Sequence, residues 1–187
     1  MFQTKINITQ APGVEGDFAS ANPRFSVPSQ VDDSGVNAVG WRAGKDVTTG
    51  GVFIARFAWA DVATNTLVLN TGTGLPTGFI HRAMEGLTMN YFTTPQSTSF
   101  FIPAGFGVGE LFSGGTFWVR HHGAAACAVG MKAFAKNAHT SAASPDGGTV
   151  QFALAGTVIA GWTETKWFAG QKCLAGELTK MTSQPLG

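Results

Sequence analysis

GGVFIARFAWAD, residues 50–61, is the stretch on which the fold turns. Its side chains sort by twos. Phe53, Phe57 and Trp59 fall on one face of an extended chain, and Val52, Ile54 and Ala58 fall on the other, together with Arg56. Successive side chains of a strand point to opposite faces. A strand that is apolar on both faces is expected to be central or sandwiched between other layers.

The same texture extends outward. TNTLVLNTG (64–72) reads as a short strand ending in a turn, and TGTGLPTG (71–78) as a loop. GFIHRAMEG (78–86) and LTMNYFTT (87–94) continue the strand pattern. SFFIPAGFGVGELFSGG (99–115), with Pro103 and its glycines, has to turn at least twice. In TFWVRHHG (116–123), Phe117, Val119 and His121 alternate with Trp118 and Arg120. AAACAVGMKAFAKNA (124–138) has the alanines of a helix, but Gly130 costs a helix about 1 kcal/mol. The alternation of Cys127, Val129 and Met131 favours a strand. SPDGGT (144–149) followed by QFALAGTVIAGW (151–162) carries a hairpin signal.

Apolar runs cut by turn residues, with no capped helical period, predict an all-β fold, a sandwich or closed barrel. No internal repeat or linker divides the 187 residues, so one domain is expected over 1–187. Within it, 1–30 reads as an extended N-terminal segment and 31–187 as the sandwich or barrel.

Composition narrows the function. Charged residues are 12% of the chain against about 25% in ordinary soluble domains. Glycine, at 25 residues, is nearly twice as common as the average of about 7%. A charge-poor surface is either covered by a partner or belongs to a turn-rich β protein with a neutral polar exterior. The net charge is +1 with no run of Lys or Arg, which argues against a nucleic-acid partner. No apolar run approaches the ~20 residues of a membrane span, and MFQTKINITQ has no signal-peptide core. Synthesis in the cytoplasm is expected. Cys127 and Cys173 lie in apolar settings; buried free thiols are the expectation, and a disulfide is the alternative.

Chemistry is thinly supplied. His121 and His122 are adjacent, so on a strand they face opposite ways. His81 and His139 stand alone, and no metal-binding spacing occurs. The carboxylates are dispersed, with Asp32 and Asp33 the one adjacent pair. A calcium ion needs a fuller oxygen cage than that pair provides. GTGLPTG (72–78) and GFGVG (105–109) lack the ending of a phosphate loop. The chain is expected not to be an enzyme and to need no cofactor or metal.

Two places invite contact with a partner. QAPGVEGDFASANPR (10–24) has neither a helical nor a strand period. Pro12 and Pro23 restrict its backbone. Phe18 is its one large apolar anchor, and Glu15, Asp17 and Arg24 are available to pair across an interface. The surface it lies on is left open: its own β domain, a sister subunit or another protein. Trp41, beside Arg42, is either an exposed sugar platform or protein hot spot, or part of the core.

Strings along almost the whole chain carry a resemblance. They are APGVEGDFASANPR (11–24), IARFAWADVAT (54–64), LPTGFIHR (75–82), FIPAGFGVGELFSGGTFWV (101–119), GMKAFA (130–135), TKWFAG (165–170) and AGELTKMT (175–182). In this order they resemble the structural cement, or capsid decoration, proteins of tailed phages. PSQVDDSGVNAVGWRAGKD (28–46) departs from the Gly/Ala-rich run of that family. The resemblance implies a jelly-roll-like β domain on the outer surface of the virion. It also implies that the protein, a dimer or trimer, reinforces the shell by bridging subunits of the major capsid protein. A carbohydrate-binding or host-attachment module is the alternative, motivated by Trp41 and the acidic loop. A small β-fold enzyme with two carboxylates brought together is a third reading.

Overall fold

In the computed structural model the stretch 50–61 forms two strands, Gly51–Phe53 and Arg56–Ala60, broken at Ala55. Ala55 has φ of 61°, a left-handed conformation that residues other than glycine rarely adopt. The break is held by Asn70, which is 2% exposed. Its Oδ1 accepts the Phe53 N–H at 2.5 Å, and its Nδ2 donates to the carbonyls of Phe53 (3.2 Å) and Phe57 (3.1 Å). One buried amide thus replaces the strand partners that the kink removes.

The structure describes residues 13–28, 40–61, 66–82 and 100–184. The strand expected at 87–94, Pro12 and the Asp32–Asp33 pair lie outside the described residues. Among the described residues there are fourteen strands and no helix. They are β1 (Phe25–Val27), β2 (Trp41–Ala43), β3 (Gly51–Phe53), β4 (Arg56–Ala60), β5 (Leu67–Leu69), β6 (Gly78–Ile80) and β7 (Phe101–Pro103). β8 (Gly107–Gly109), β9 (Leu111–Gly114), β10 (Thr116–Arg120), β11 (Lys132–Lys136), β12 (Val150–Ala153), β13 (Trp162–Ala169) and β14 (Leu178–Thr182) follow.

They form three open sheets. A seven-stranded sheet runs β1-β9-β6-β4-β5-β2-β8, a five-stranded sheet runs β10-β14-β13-β11-β12, and β3 pairs with β7 as a ribbon. The end strands of the five-stranded sheet touch at one bridge, His121 to Val150, without closing a ladder. The fold is therefore a sandwich and not a barrel.

Two cores lie on either side of the seven-stranded sheet. Phe57, Trp59, Phe79 and Phe112 face the five-stranded sheet and pack with Phe117, Trp167 and Met181. Ala58, Val68, Ile80 and Leu111 face the other way and pack with Val52, Ile54 and Ile102. The two-faced pattern of 50–61 thus marks a strand with apolar layers on both sides. Phe53 departs from its expected face because the kink at Ala55 resets the phase; it packs instead on Phe101, ring centroids 5.1 Å apart. Each fully buried Phe contributes roughly 1.5–3 kcal/mol.

The run 124–138 is a strand over Lys132–Lys136 only. The stretch before it has to carry the chain from β10 at one edge past β14 and β13 to β11, so it crosses the end of the sheet and cannot extend along it. β11 and β12 pair antiparallel as the hairpin signal predicts.

Candidate functional site

The opening segment lies on its own β domain. Gly16 N–H donates to the Trp118 carbonyl at 2.7 Å, Trp118 N–H to Asp17 at 2.9 Å, and Ala19 N–H to Thr116 at 2.8 Å. Phe18 and Phe117 form an antiparallel bridge, so the segment extends the five-stranded sheet beside β10. Arg82 N–H donates to the Gly16 carbonyl at 3.0 Å, which ties the same segment to the end of β6. It is a strap across both sheets.

Local sequence makes this path possible. The turn at Glu15–Gly16 closes through Asp17 N–H to the Val14 carbonyl, 3.0 Å, with Gly16 at φ 89°. Gly13 runs so close to Trp118 that a Cβ there would sit 2.3 Å from the indole Cδ1.

Four of the expected interface residues therefore have partners within the chain. Phe18 packs on His81 (5.0 Å between centroids), Phe117 (5.3 Å) and Phe112 (5.5 Å). The Arg24 Cζ lies 3.6 Å from the Phe18 ring centroid. Glu15 pairs with Arg120 at 3.3 Å and Asp17 with Arg82 at 3.4 Å. Both ion pairs are partly exposed and contribute about 0–1 kcal/mol each; the partly buried Phe18 ring does more.

Of the two readings left open for Trp41, the structure takes the core. Trp41 is 5% exposed, sits in the second core, and donates its Nε1–H to the Val27 carbonyl at 2.8 Å. Side-chain alternation along β2 turns it inward and leaves Arg42 exposed. Trp41 offers no platform for a sugar, which removes one of the two observations behind the carbohydrate-binding alternative; the other, the acidic loop at Asp32 and Asp33, lies outside the described residues.

An apolar surface that the sequence reading passed over lies at one end of the five-stranded sheet. The β10–β11 crossing (121–131) runs beside the β13–β14 turn (170–177). Cys127 and Cys173 exchange backbone hydrogen bonds there, at 2.9 and 3.3 Å. The residues flanking each cysteine, 124–126, 128–130, 171–172 and 174–177, are exposed. Val129 is 56% and Leu174 59% exposed, among alanines and glycines, with Lys172 and Glu177 the only charges.

This surface is braced from beneath. His121, fully buried, donates its Nε2–H to the Ala125 carbonyl at 2.7 Å, and its Nδ1 accepts the Phe152 N–H at 3.3 Å. Arg120 donates to the Gly176 carbonyl at 2.6 Å, and the Thr179 hydroxyl to Gln171 at 2.9 Å. A braced apolar surface loses little conformational freedom on binding. In the sequence its signal was weak: small apolar residues without period, read as a strand by the Cys127–Val129–Met131 alternation.

His122 is exposed and faces away from His121. His139 accepts the Gly147 N–H on Nδ1 at 2.8 Å, and its Nε2 faces Asp46 at 3.5 Å. Among the described residues no three His, Cys, Asp or Glu gather as metal ligands. Among the described residues, a surface cleft between Leu75 and Trp167 is lined by no carboxylate. A second cleft, beside Phe18 and Arg24, has Glu110 as its one carboxylate. Neither brings together the two carboxylates of a glycosidase.

What these features define is a β-sandwich protein whose exposed apolar loop ends suit contact with other proteins. Residues 2–182 match the XM1 gp53 minor capsid protein family, and the chain belongs to that family. It is a phage capsid protein by kinship, with the virion as its place and other capsid components as its associates. A structural capsid family suggests a non-enzymatic role. No curated protein matches the chain.

Proposed function

We propose that the protein is a cement, or decoration, protein. It binds the outer surface of the icosahedral shell of a tailed phage and bridges neighbouring major capsid subunits, as a small homo-oligomer. It is made in the host cytoplasm and acts on the virion, without cofactor or catalysis. The observation that carries this reading is the braced, exposed apolar surface around Val129 and Leu174, in a chain of a minor capsid family. Its mechanism is interface burial: apolar side chains on a fixed backbone, repeated over many copies so that weak contacts add up. An interface of ordinary size, on the order of 1,600 Å² in total, suffices per contact.

The test is imaging and mass analysis of purified virions. Stoichiometric copies on the outside of the shell, touching two major capsid subunits, are the expected result. Absence from the shell, or a place inside it, rejects the reading.

A further inference from the structure

Within the β sandwich, one pair of thiols is placed for a reaction that neither the fold nor the proposed binding role uses. Cys127 and Cys173 are both buried, at 2% and 5% exposure. They face each other as an antiparallel bridge, each accepting the other's backbone N–H. That pairing sets the two Cα atoms about 5.5 Å apart, inside the range that a disulfide spans without backbone movement. The sulfurs are in contact at 2.6 Å. Both thiols are free in this structure.

We propose that Cys127 and Cys173 form a disulfide when the protein leaves a reducing environment, clamping the β10–β11 crossing to the β13–β14 turn. The reaction is thiol–disulfide exchange with a small-molecule disulfide such as oxidised glutathione. One protein thiolate attacks a sulfur of the oxidant, forming a mixed disulfide and releasing one glutathione thiolate. The second cysteine displaces the other glutathione. One protein S–S bond has formed, the glutathione S–S bond is broken, and two thiol protons pass to the two glutathione thiolates.

Two features of the site set its rate. Burial, reinforced by the neighbouring Cys173, pushes the Cys127 thiol up to about 12, so thiolate is scarce and the first attack is slow. Access to the buried sulfurs needs the loops to part briefly. The same burial then shields the product from reductant. The closed ring joins residues 46 apart in sequence, a span at which cross-linking restricts the unfolded chain substantially. The clamp also fixes the backbone on which Val129 and Leu174 are displayed. Its link to capsid binding rests on the proposed function; the disulfide itself does not.

The experiment uses the purified full chain, without capsid. It is incubated with oxidised glutathione, then followed by intact mass, peptide mapping and thermal melting. A loss of about 2 Da, a linked Cys127–Cys173 peptide and a Tm raised by about 5–15 °C, all reversed by dithiothreitol, are expected. Cys173→Ser should yield no linked peptide and a Tm indifferent to oxidant. A stable mixed disulfide with glutathione, thiols still free after prolonged oxidation, or a linked form that melts no higher than the reduced one overturns the proposal. Because no capsid is present, such a failure leaves the cement reading standing, and absence of the protein from virions would leave the disulfide standing.

Discussion

Phe18 and Phe117 pair as an antiparallel bridge with ring centroids 5.3 Å apart, so the opening segment completes the core beside β10. Arg24 then covers the outer side of the Phe18 ring. A segment with neither helical nor strand period is ordered here by a neighbour's free edge and one aromatic ring.

From this follows a test of what the strap is for. Phe18→Ala should cost about 2–3 kcal/mol, because the ring is partly buried against three others. Arg24→Ala should cost about 1 kcal/mol or less. Deleting residues 13–24 should lower the melting temperature together with any capsid binding. Normal melting with binding alone lost would show the strap to be a docking arm.

The kink at Ala55 depends on Asn70. Asn70→Ala leaves the Phe53 amide and two carbonyls short of partners in a dry interior, and should cost about 3 kcal/mol in urea unfolding. A loss below about 1 kcal/mol would mean that the ribbon formed by β3 and β7 holds the break unaided.

Gly148 splices the two main sheets. Its φ is 72°, its N–H donates to Lys136 and its carbonyl accepts the Phe57 N–H, both at 2.8 Å. A Cβ there would lie 2.3 Å from the Phe57 carbonyl oxygen. Gly148→Ala therefore combines backbone strain of about 1–3 kcal/mol with a backbone clash. A sharp loss of soluble, cooperatively melting protein is expected, whereas Gly156→Ala meets no atom within 4 Å and should show strain alone.

Acid should loosen the 137–149 loop. Burial raises the Asp146 pKa, but the Lys136 ammonium and the Thr140 amide and hydroxyl outweigh it and hold the carboxyl down at about 2. A carboxyl depressed in the folded state adds stability that is whole above its ordinary value of about 3.9 and fades as pH falls toward the folded value. The melting temperature should drop between pH ~4 and ~2, and less steeply in Asp146→Asn. Equal slopes in the two proteins would remove Asp146 as the cause.

Val129→Asp and Leu174→Asp change exposed positions and should alter stability by no more than about 0.5 kcal/mol. Each should weaken co-sedimentation with capsids at least tenfold, since a charge would be buried unpaired in an apolar contact. Unchanged binding by the double variant would place the shell contact elsewhere.

The two faces of 50–61 were legible because alternation along a strand is a local property: Phe57 and Trp59 go one way and Ala58 the other whatever their neighbours are. The turns within 99–115 were legible for the same reason, since Pro103 and the glycines limit the backbone directly. The partners of the opening segment were less so. Glu15, Asp17 and Phe18 were recognised as groups in search of partners, but Arg120, Arg82 and Phe117 come from distant parts of the chain, and Arg24 turns to Phe18 within its own segment.

Sequence alone determined that the protein is all-β, with a strand buried on both sides, because period and turn chemistry act within a few residues. Only the tertiary structure decided that Trp41 turns inward, that the opening segment lies on its own sheet, and that 124–130 meets 171–177. Each of those depends on strand order, which brings together residues up to about a hundred positions apart. The run AAACAVG became an exposed crossing and not a strand because β14 and β13 stand between the two strands it joins.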